Sequence, residues 1–356
     1  MRLLFLETSG AWTGASRIFT AVAHALATRG HETAILGPEG SDLVRSARTS
    51  RARVFELEGE RRRTGRDAAQ LAARLVEFPA DTVFVHGDAS HLVAARALTK
   101  TRKGLLVRRL GAGETLEPTR RTRQAEKAWP VRYLYTTETP RTGHAAPSGT
   151  MSALRADLGV PVPDGPPAIV DDGYAVLACI ATREALRRAT NVLRAGALLA
   201  HQHPGLRLRV IGSAASDPDL QVLASALGLA RRVEWFSQAA SIGTALEGAS
   251  AGWVVADGDD AGLGMLQLMA HGVVPLAERT PVAMRYVTPS VHGILMATLD
   301  PPAMAAETTL LLADRERRAT MGAAGRARVE REFTLRDMLA GFEQAARGSR
   351  DRRTPA

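Results

Sequence analysis

Several small groups of residues in this sequence have the types and spacing for chemistry. His86 closes a β-rich run, Thr82-Val83-Phe84-Val85, and Asp88 follows two residues later. A histidine at a strand end can donate to a hydroxyl or stabilise developing charge. The plain structural reading is a loop hydrogen bond. Gly10 and Gly14 bracket a turn after an apolar start, with Arg17 just beyond. Backbone amides in such a turn can meet an anion or a hydroxyl. Arg183 and Arg187 follow another apolar run, and guanidinium groups bind phosphate bidentately. Exposed helix-start arginines are the competing reading. Asp257-Gly258-Asp259-Asp260 leads into Gly262-Leu263-Gly264 and then Gln267. Those carboxylates and that amide can accept from hydroxyls. Structurally they suit an acidic helix start, which the helix dipole favours.

These residues need a frame. Short β-rich runs alternate with longer helical patterns, the signature of parallel βαβ units. Runs at 3–6, 33–36, 54–57, 82–85, 105–107 and 132–135 read as strands, with helices at 16–29, 67–76 and 91–98. Ile18, Val22, Ala25 and Leu26 share one face of the first helix, and Gly30 stops it. A second series places strands at 175–180, 207–211, 233–236, 252–256 and 273–277. Its helices fall at 190–200, 219–227, 242–247 and 263–270, with a helical end over 302–346. Between the series, the run from Gly159 to Pro167 holds four prolines and two glycines and can continue neither element.

The expected organisation is a Rossmann-like domain over 1–160, a linker over 161–167, a second Rossmann-like domain over 168–346, and a disordered basic tail over 347–356. Doubly wound sheets bind ligands at the carboxyl ends of their strands, at switch points. A cleft between two such domains would hold two substrates and close on them.

Composition narrows the field. A length of 356 residues suits two domains, and 45% hydrophobic with 23% charged residues fits a folded chain. The lone Cys179 excludes an internal disulfide and fits a reducing compartment. No apolar run approaches the ~20 residues of a membrane span. The apolar start is short and meets Glu7 at once, so it reads as a first strand rather than a signal core. A cytoplasmic location is expected.

The net charge of +9 is uneven: residues 1–165 carry 25 Arg and Lys against 17 Asp and Glu, residues 166–356 carry 21 against 20. Arg61-Arg62-Arg63, Arg108-Arg109 and Arg120-Arg121 contribute to the excess. A basic face attracts lipid phosphates or a phosphorylated acceptor; a solvated surface in an Arg-rich chain is the competing reading. Nucleic-acid binding is not expected, because there is no zinc-ligand spacing and aromatics are only 4%.

The second half resembles the retaining glycosyltransferase family four. His203-Pro204-Gly205-Leu206-Arg207-Leu208-Arg209-Val210-Ile211-Gly212 is similar to the family's "HPxLxLxIVG" segment. Leu266-Gln267-Leu268-Met269-Ala270-His271-Gly272-Val273-Val274-Pro275 is similar to "LEAMAxGxPVV", and His292-Gly293-Ile294-Leu295 to "TGLLV". Residues 311–334 follow the family's terminal helices. The first half resembles it more loosely, at residues 9–17 and at His31-Glu32-Thr33-Ala34-Ile35-Leu36.

The resemblance implies an α/β chain of GT-B fold, with two Rossmann-like doubly wound domains and an inter-domain cleft. It implies transfer of a sugar, with retention, from a nucleotide-sugar donor to an acceptor hydroxyl. The donor is a co-substrate, and neither a cofactor nor a metal is expected; the adjacent pairs Asp171-Asp172 and Asp259-Asp260 suit one metal poorly. The acceptor is a glycan, a lipid-linked or a small molecule, and peripheral association with the inner membrane face is a further expectation.

The family's acidic residue, seven intervening residues and glutamate fall on Asp259 and Gln267, with 260–264, including Gly262, Leu263 and Gly264, as a glycine-rich turn for the phosphates. Its "VGRLxxxKG" segment puts Thr182 at the arginine position, with Arg183 beside it, Arg187 at the lysine position and Ala181 at the glycine. His86 matches the histidine that contacts the transferred sugar. Gly10, Gly14 and Arg17 match the loop near the acceptor and the donor diphosphate. Because Gln267 and Thr182 depart from the pattern, a degenerate, non-catalytic GT-B protein that binds a sugar ligand or partner enzyme is the competing function. A sugar-nucleotide epimerase would need cleft carboxylates, for which Asp88 and Glu114 are the convenient candidates. A dinucleotide-dependent dehydrogenase is not expected, as no Gly-x-Gly-x-x-Gly follows the first strand.

Overall fold

Leu3, Leu4, Phe5 and Leu6 are all buried, as a strand covered on both faces requires. The computed structural model describes residues 1–59, 63–116, 119–136, 151–165, 175–237 and 242–347. The chain divides into two units: Met1–Asp157 with Arg336–Ala356, and Leu158–Leu335.

The first unit runs β1 (Arg2–Leu6), α1 (Gly14–Thr28), β2 (Glu32–Pro38), α2 (Asp42–Ala47), β3 (Arg53–Leu57) and α3 (Thr64–Glu77). It continues β4 (Thr82–His86), α4 (Gly87–Thr101), β5 (Leu105–Leu110), α5 (Arg120–Ala128), β6 (Val131–Tyr135) and β7 (Met151–Arg155). The seven strands form one parallel sheet in the order β3-β2-β1-β4-β5-β6-β7. Phe5 lies opposite Ile35 on one side and Phe84 on the other, and the Phe5 and Phe84 rings stack at 5.0 Å.

The second unit runs β8 (Val176–Ala181), α6 (Leu186–Gln202), β9 (Arg207–Ile211), α7 (Pro218–Ala226), β10 (Val233–Phe236), α8 (Ile242–Leu246) and β11 (Ala251–Val255). Then come α9 (Gly258–Ala270), β12 (Val274–Glu278), α10 (Pro281–Tyr286), β13 (Ile294–Met296), α11 (Pro301–Ala313) and α12 (Arg315–Glu332). Its six strands are parallel in the order β10-β9-β8-β11-β12-β13. Trp253 anchors the core, fully buried, with its indole N–H donated to Thr308 Oγ1 at 3.1 Å.

The domain limits differ from those expected. The last described helix, α13 (Leu335–Ala346), falls within the range expected for the second domain, but from Arg336 it belongs to the first unit. The reason is packing: Phe342 is buried with its ring 5.3 Å from that of Phe84. Arg132 reinforces this by donating to Ala345 O and Arg347 O at the helix end, where cations are favoured. The expected linker also begins inside the second unit. Val160 pairs with Thr334 as a β-bridge, and Pro163 O accepts from Arg326. Pro166, Pro167 and the expected tail beyond Arg347 lie outside the described residues.

Candidate functional site

Each sheet has a point where the chain leaves one strand outward and returns to build the other side. It falls between β1 and β4 in the first unit, and between β8 and β11 in the second. Loops at the carboxyl ends of such strand pairs form the ligand crevice of open α/β sheets. The candidate residues sort onto these loops: Gly10, Gly14 and Arg17 after β1, His86 at the end of β4, Arg183 and Arg187 after β8, Asp259 and Gln267 after β11.

After β8, Thr182 stays extended and nearly buried, its amide donating to Val255 O at 3.3 Å. Arg183–Ala185 make a 3₁₀ turn, which the Arg183 amide ties to Ser213 Oγ at 2.9 Å. Gly212 lets that neighbour approach: with φ at 112°, a Cβ there would stand 2.5 Å from Ala181 O. The helix α6 starts earlier than expected, so Arg187 sits in its first turn. Arg183 and Arg187 are exposed, and among the described residues neither pairs with a carboxylate.

Arg188 behaves differently, and sequence reasoning passed over it. Its guanidinium is bonded to the Asp257 carboxylate and reaches Glu278 Oε2 at 3.4 Å. The available signal was two acidic residues closing the neighbouring strands β11 and β12, which together call for a cation.

The expected glycine-rich turn over 260–264 is corrected: this stretch is helix. The turn is at Gly258, where φ is 52°, and α9 begins there. Ala261 N–H already donates to Asp257 O at 3.2 Å, so the amides of Gly262 and Gly264 lie within the helical ladder and those ahead of it belong to Gly258, Asp259 and Asp260. The glycines serve packing instead. A Cβ on Gly264 would stand 3.2 Å from both Ile180 and Val254, and one on Gly262 2.5 Å from Leu158. Leu263 is buried in the core. Asp259 is buried in the first turn, whereas half-buried Gln267 lies eight residues on, about 12 Å along the axis.

In the first unit, Gly10 has φ at 73° and approaches Ser41 and Pro38 closely enough that a Cβ would be 3.1–3.2 Å from them. Gly14 is the buried first residue of α1, behind the Thr13 cap, and Arg17 is half-buried on the same helix. His86 Nδ1 lies 3.2 Å from Arg109 O and 3.8 Å from Glu114 Oε2. Asp88, in the first turn of α4, is fully engaged: it accepts from Thr119 at 2.6 Å and Thr122 at 2.9 Å, and pairs with Arg108 at 2.6 Å. Burial opposes its ionisation, but the hydroxyl donors and the Arg108 charge prevail and hold the carboxyl below its usual range. A carboxylate so held is a poor proton acceptor, which weighs against the epimerase reading.

Arg108 and Arg109 are buried, 3% and 1% exposed. This corrects their reading as solvated surface charge. Arg61, Arg62, Asp171 and Asp172 lie outside the described residues. Among the described residues no three His, Cys, Asp or Glu side chains gather to hold a metal, and no helix is long and apolar enough to cross a membrane.

The solved glycosyltransferase from Rickettsia africae superimposes with a TM-score of 0.74 at 14% identity, over 97% of both chains. Anabaena HepE, solved with UDP and glucose, gives 0.75 at 17% identity, over 97% of this chain and 98% of that one. These likenesses establish the fold as GT-B. The family described as Glycosyl transferases group 1 matches residues 168–328, and Glycosyltransferase Family 4 matches residues 12–138. The chain is 30% identical over 212 residues to the D-inositol 3-phosphate glycosyltransferase of Segniliparus rotundus, a stretch covering 56% of this chain and 44% of that protein. The match thus spans less than half the length of that relative. The chain belongs to the GT-B glycosyltransferases.

Proposed function

We propose that the chain moves a sugar from a nucleotide-sugar donor to an acceptor hydroxyl, with retention and without a metal. The observation that carries this reading is the gathering of chemistry-bearing residues at the carboxyl ends of β8 and β11, and of β1 and β4. Arg187 and Arg183 would bind the donor diphosphate, helped by the amides that open α9. Asp259 and Gln267 would accept from sugar and ribose hydroxyls. His86 would contact the transferred sugar, and the loop carrying Gly10, Gly14 and Arg17 the acceptor side. Fixed positive charge on the leaving diphosphate would be the main catalytic effect.

A second reading has specific support. Gln267 and Thr182 replace charged residues of the family pattern, and the segment expected to cradle phosphate is helical. Both features suit a non-catalytic GT-B protein that binds a sugar ligand or a partner. Calorimetry with UDP and a set of nucleotide sugars, followed by assay of donor turnover, separates the two. Binding with turnover supports transfer; sugar binding without any turnover supports the second reading.

A further inference from the structure

We infer that the amino-terminal edge of the first sheet, where α3, α4 and α5 end, docks on an anionic lipid surface, with Val76 entering the headgroup layer beside lysines. This surface lies outside the donor reading and stands whether or not the chain turns over a nucleotide sugar.

The chain has only three lysines, Lys100, Lys103 and Lys127, and the fold collects all three. α4 packs between α3 and α5, and the ends of α4 and α5 are tied where Thr99 Oγ1 donates to Ala128 O at 2.9 Å. Trp129 closes the same corner, its indole N–H donated to Gly104 O at 3.2 Å. Lys100 stands in the last turn of α4, Lys127 in that of α5, and Lys103 just beyond α4. Arg96 and Arg102 add to them. Arg102 occupies the left-handed cap of α4, with φ at 53°, a position that favours glycine over a charged side chain. All five are exposed and, among the described residues, none pairs with a carboxylate.

The acids of this layer do not cancel that charge. On α3, Asp67 is buried and Glu77 is shared by Arg53 and Arg74. On α4, Asp88 is paired with Arg108, and on α5 Glu126 accepts from the Tyr133 hydroxyl. Asp81, which accepts from the Arg2 amide at 2.8 Å, is outnumbered.

Helix dipoles account for a cation at each helix end. They do not account for what lies open beside the cations. α3 turns Ala69, Ala73 and Val76 outward along one face, and Val76 is 79% exposed. Val76, Pro79, Lys100 and Lys103 line one groove. Aliphatic side chains rimmed by lysines match the boundary between lipid headgroups and acyl chains, where the lysine stems lie along the apolar layer and the ammonium groups meet phosphates. A nucleic acid would call for free aromatic faces, and Trp129 is tied down. Docked this way, the loops at the carboxyl ends of the first sheet face away from the lipid, His86 lying about 13 Å along β4 from Thr82.

The test co-sediments the full chain with vesicles of phosphatidylcholine, alone or with about one third phosphatidylglycerol. Binding to the anionic vesicles should be clear at low salt, fade by about 0.5 M NaCl, and be absent with phosphatidylcholine alone. Lys100→Gln combined with Lys103→Gln should weaken it roughly thirtyfold, the usual effect of two lysines near an anionic surface. Arg120→Gln combined with Arg121→Gln removes the same charge from the other end of α5 and should weaken it by about threefold at most. Val76→Glu should remove most of the binding with the melting temperature unchanged, and it decides the matter should the lysine variant fold poorly. No sedimentation with anionic vesicles at low salt overturns the inference. So do equal losses from the two charge pairs, or a Val76→Glu protein that binds like the parent. An oligonucleotide or acidic peptide that binds the parent when anionic vesicles do not makes this a site for that partner and overturns it equally.

Discussion

The guanidinium of Arg188, in the first turn of α6, is bonded to the carboxylate of Asp257, the residue that leads into α9. The contact joins the loops after β8 and β11 across the switch point, and Glu278 shares the same cation at 3.4 Å. Asp257 is exposed and Arg188 and Glu278 are part-exposed, so the pairs themselves add at most about 1 kcal/mol to stability. Their effect on an anionic ligand is larger. With Arg188 gone, Asp257 and Glu278 would stand uncompensated where a diphosphate is proposed to lie. Arg188→Ala should therefore lower UDP affinity by roughly tenfold while shifting the melting temperature little. Arg187→Ala should lower it comparably, by about 1.5–3 kcal/mol, through loss of a charged partner. Calorimetry with UDP decides each case. An Arg187→Ala protein that binds UDP like the parent makes Arg187 a surface residue.

Gly322 is held by a contact that no side-chain motion can relieve. A Cβ there would stand 2.2 Å from Gly272 O, so α12 and the end of α9 would have to part. Gly322→Ala should destabilise the protein by about 1–3 kcal/mol, as overpacking does. Gly65, in the first turn of α3, has nothing within 4 Å of its missing Cβ. Gly65→Ala should be neutral or stabilise by up to about 1 kcal/mol. Parallel urea titrations would show both signs, and equal effects would refute the packing account.

Strands such as β1 and β8 were legible in the sequence because each is an almost unbroken apolar run; Val176–Ala181 is buried throughout, and that pattern needs no partner to be recognised, whereas β7, Met151–Arg155, lacks it and was not expected. The start of α9 was not legible. Asp257-Gly258-Asp259-Asp260 has turn composition, and it is the seating of Gly264 on Ile180 and Val254 that admits a helix there. α13 shows the same limit. Its apolar face announces burial, but nothing local says which core takes Phe342. Arg108 read as surface charge, and Arg188 was passed over, for a related reason. Their partners Asp88 and Asp257 lie 20 and 69 residues away, and only the sheet order brings them together.

Cys179 offers a reporter for the second unit. It sits in the middle of β8, paired in register with Val210 and Trp253, and is 1% exposed. Burial pushes its thiol up to about 12, so the reactive thiolate is scarce in the folded state. Alkylation by iodoacetamide should follow opening of the central sheet, about a thousandfold or more slower in buffer than in strong urea. As the chain has a single cysteine, the rate is unambiguous. Rapid labelling of the native protein would mean that β8 is not the protected centre of its sheet.

His91 makes stability depend on acidity in a defined direction. It is fully buried on α4, with Nδ1 3.3 Å from the Arg108 guanidinium. Burial first, and the Arg108 charge second, take its pKa from 6.5 down to about 3. Between those values the unfolded chain holds a proton on this histidine and the folded chain does not. Stability is therefore present in full above pH 6.5 and is lost as pH falls from 6.5 toward 3, at up to about 1.4 kcal/mol per pH unit. Asp88, whose pKa is lowered from 3.8, adds a loss of the same sign below that value. His91→Gln keeps an acceptor for Arg108 but cannot titrate. Urea unfolding at a series of pH values should give this variant a visibly flatter profile than the parent between pH 6.5 and 4. Superimposable profiles would show that His91 does not stay neutral inside the fold.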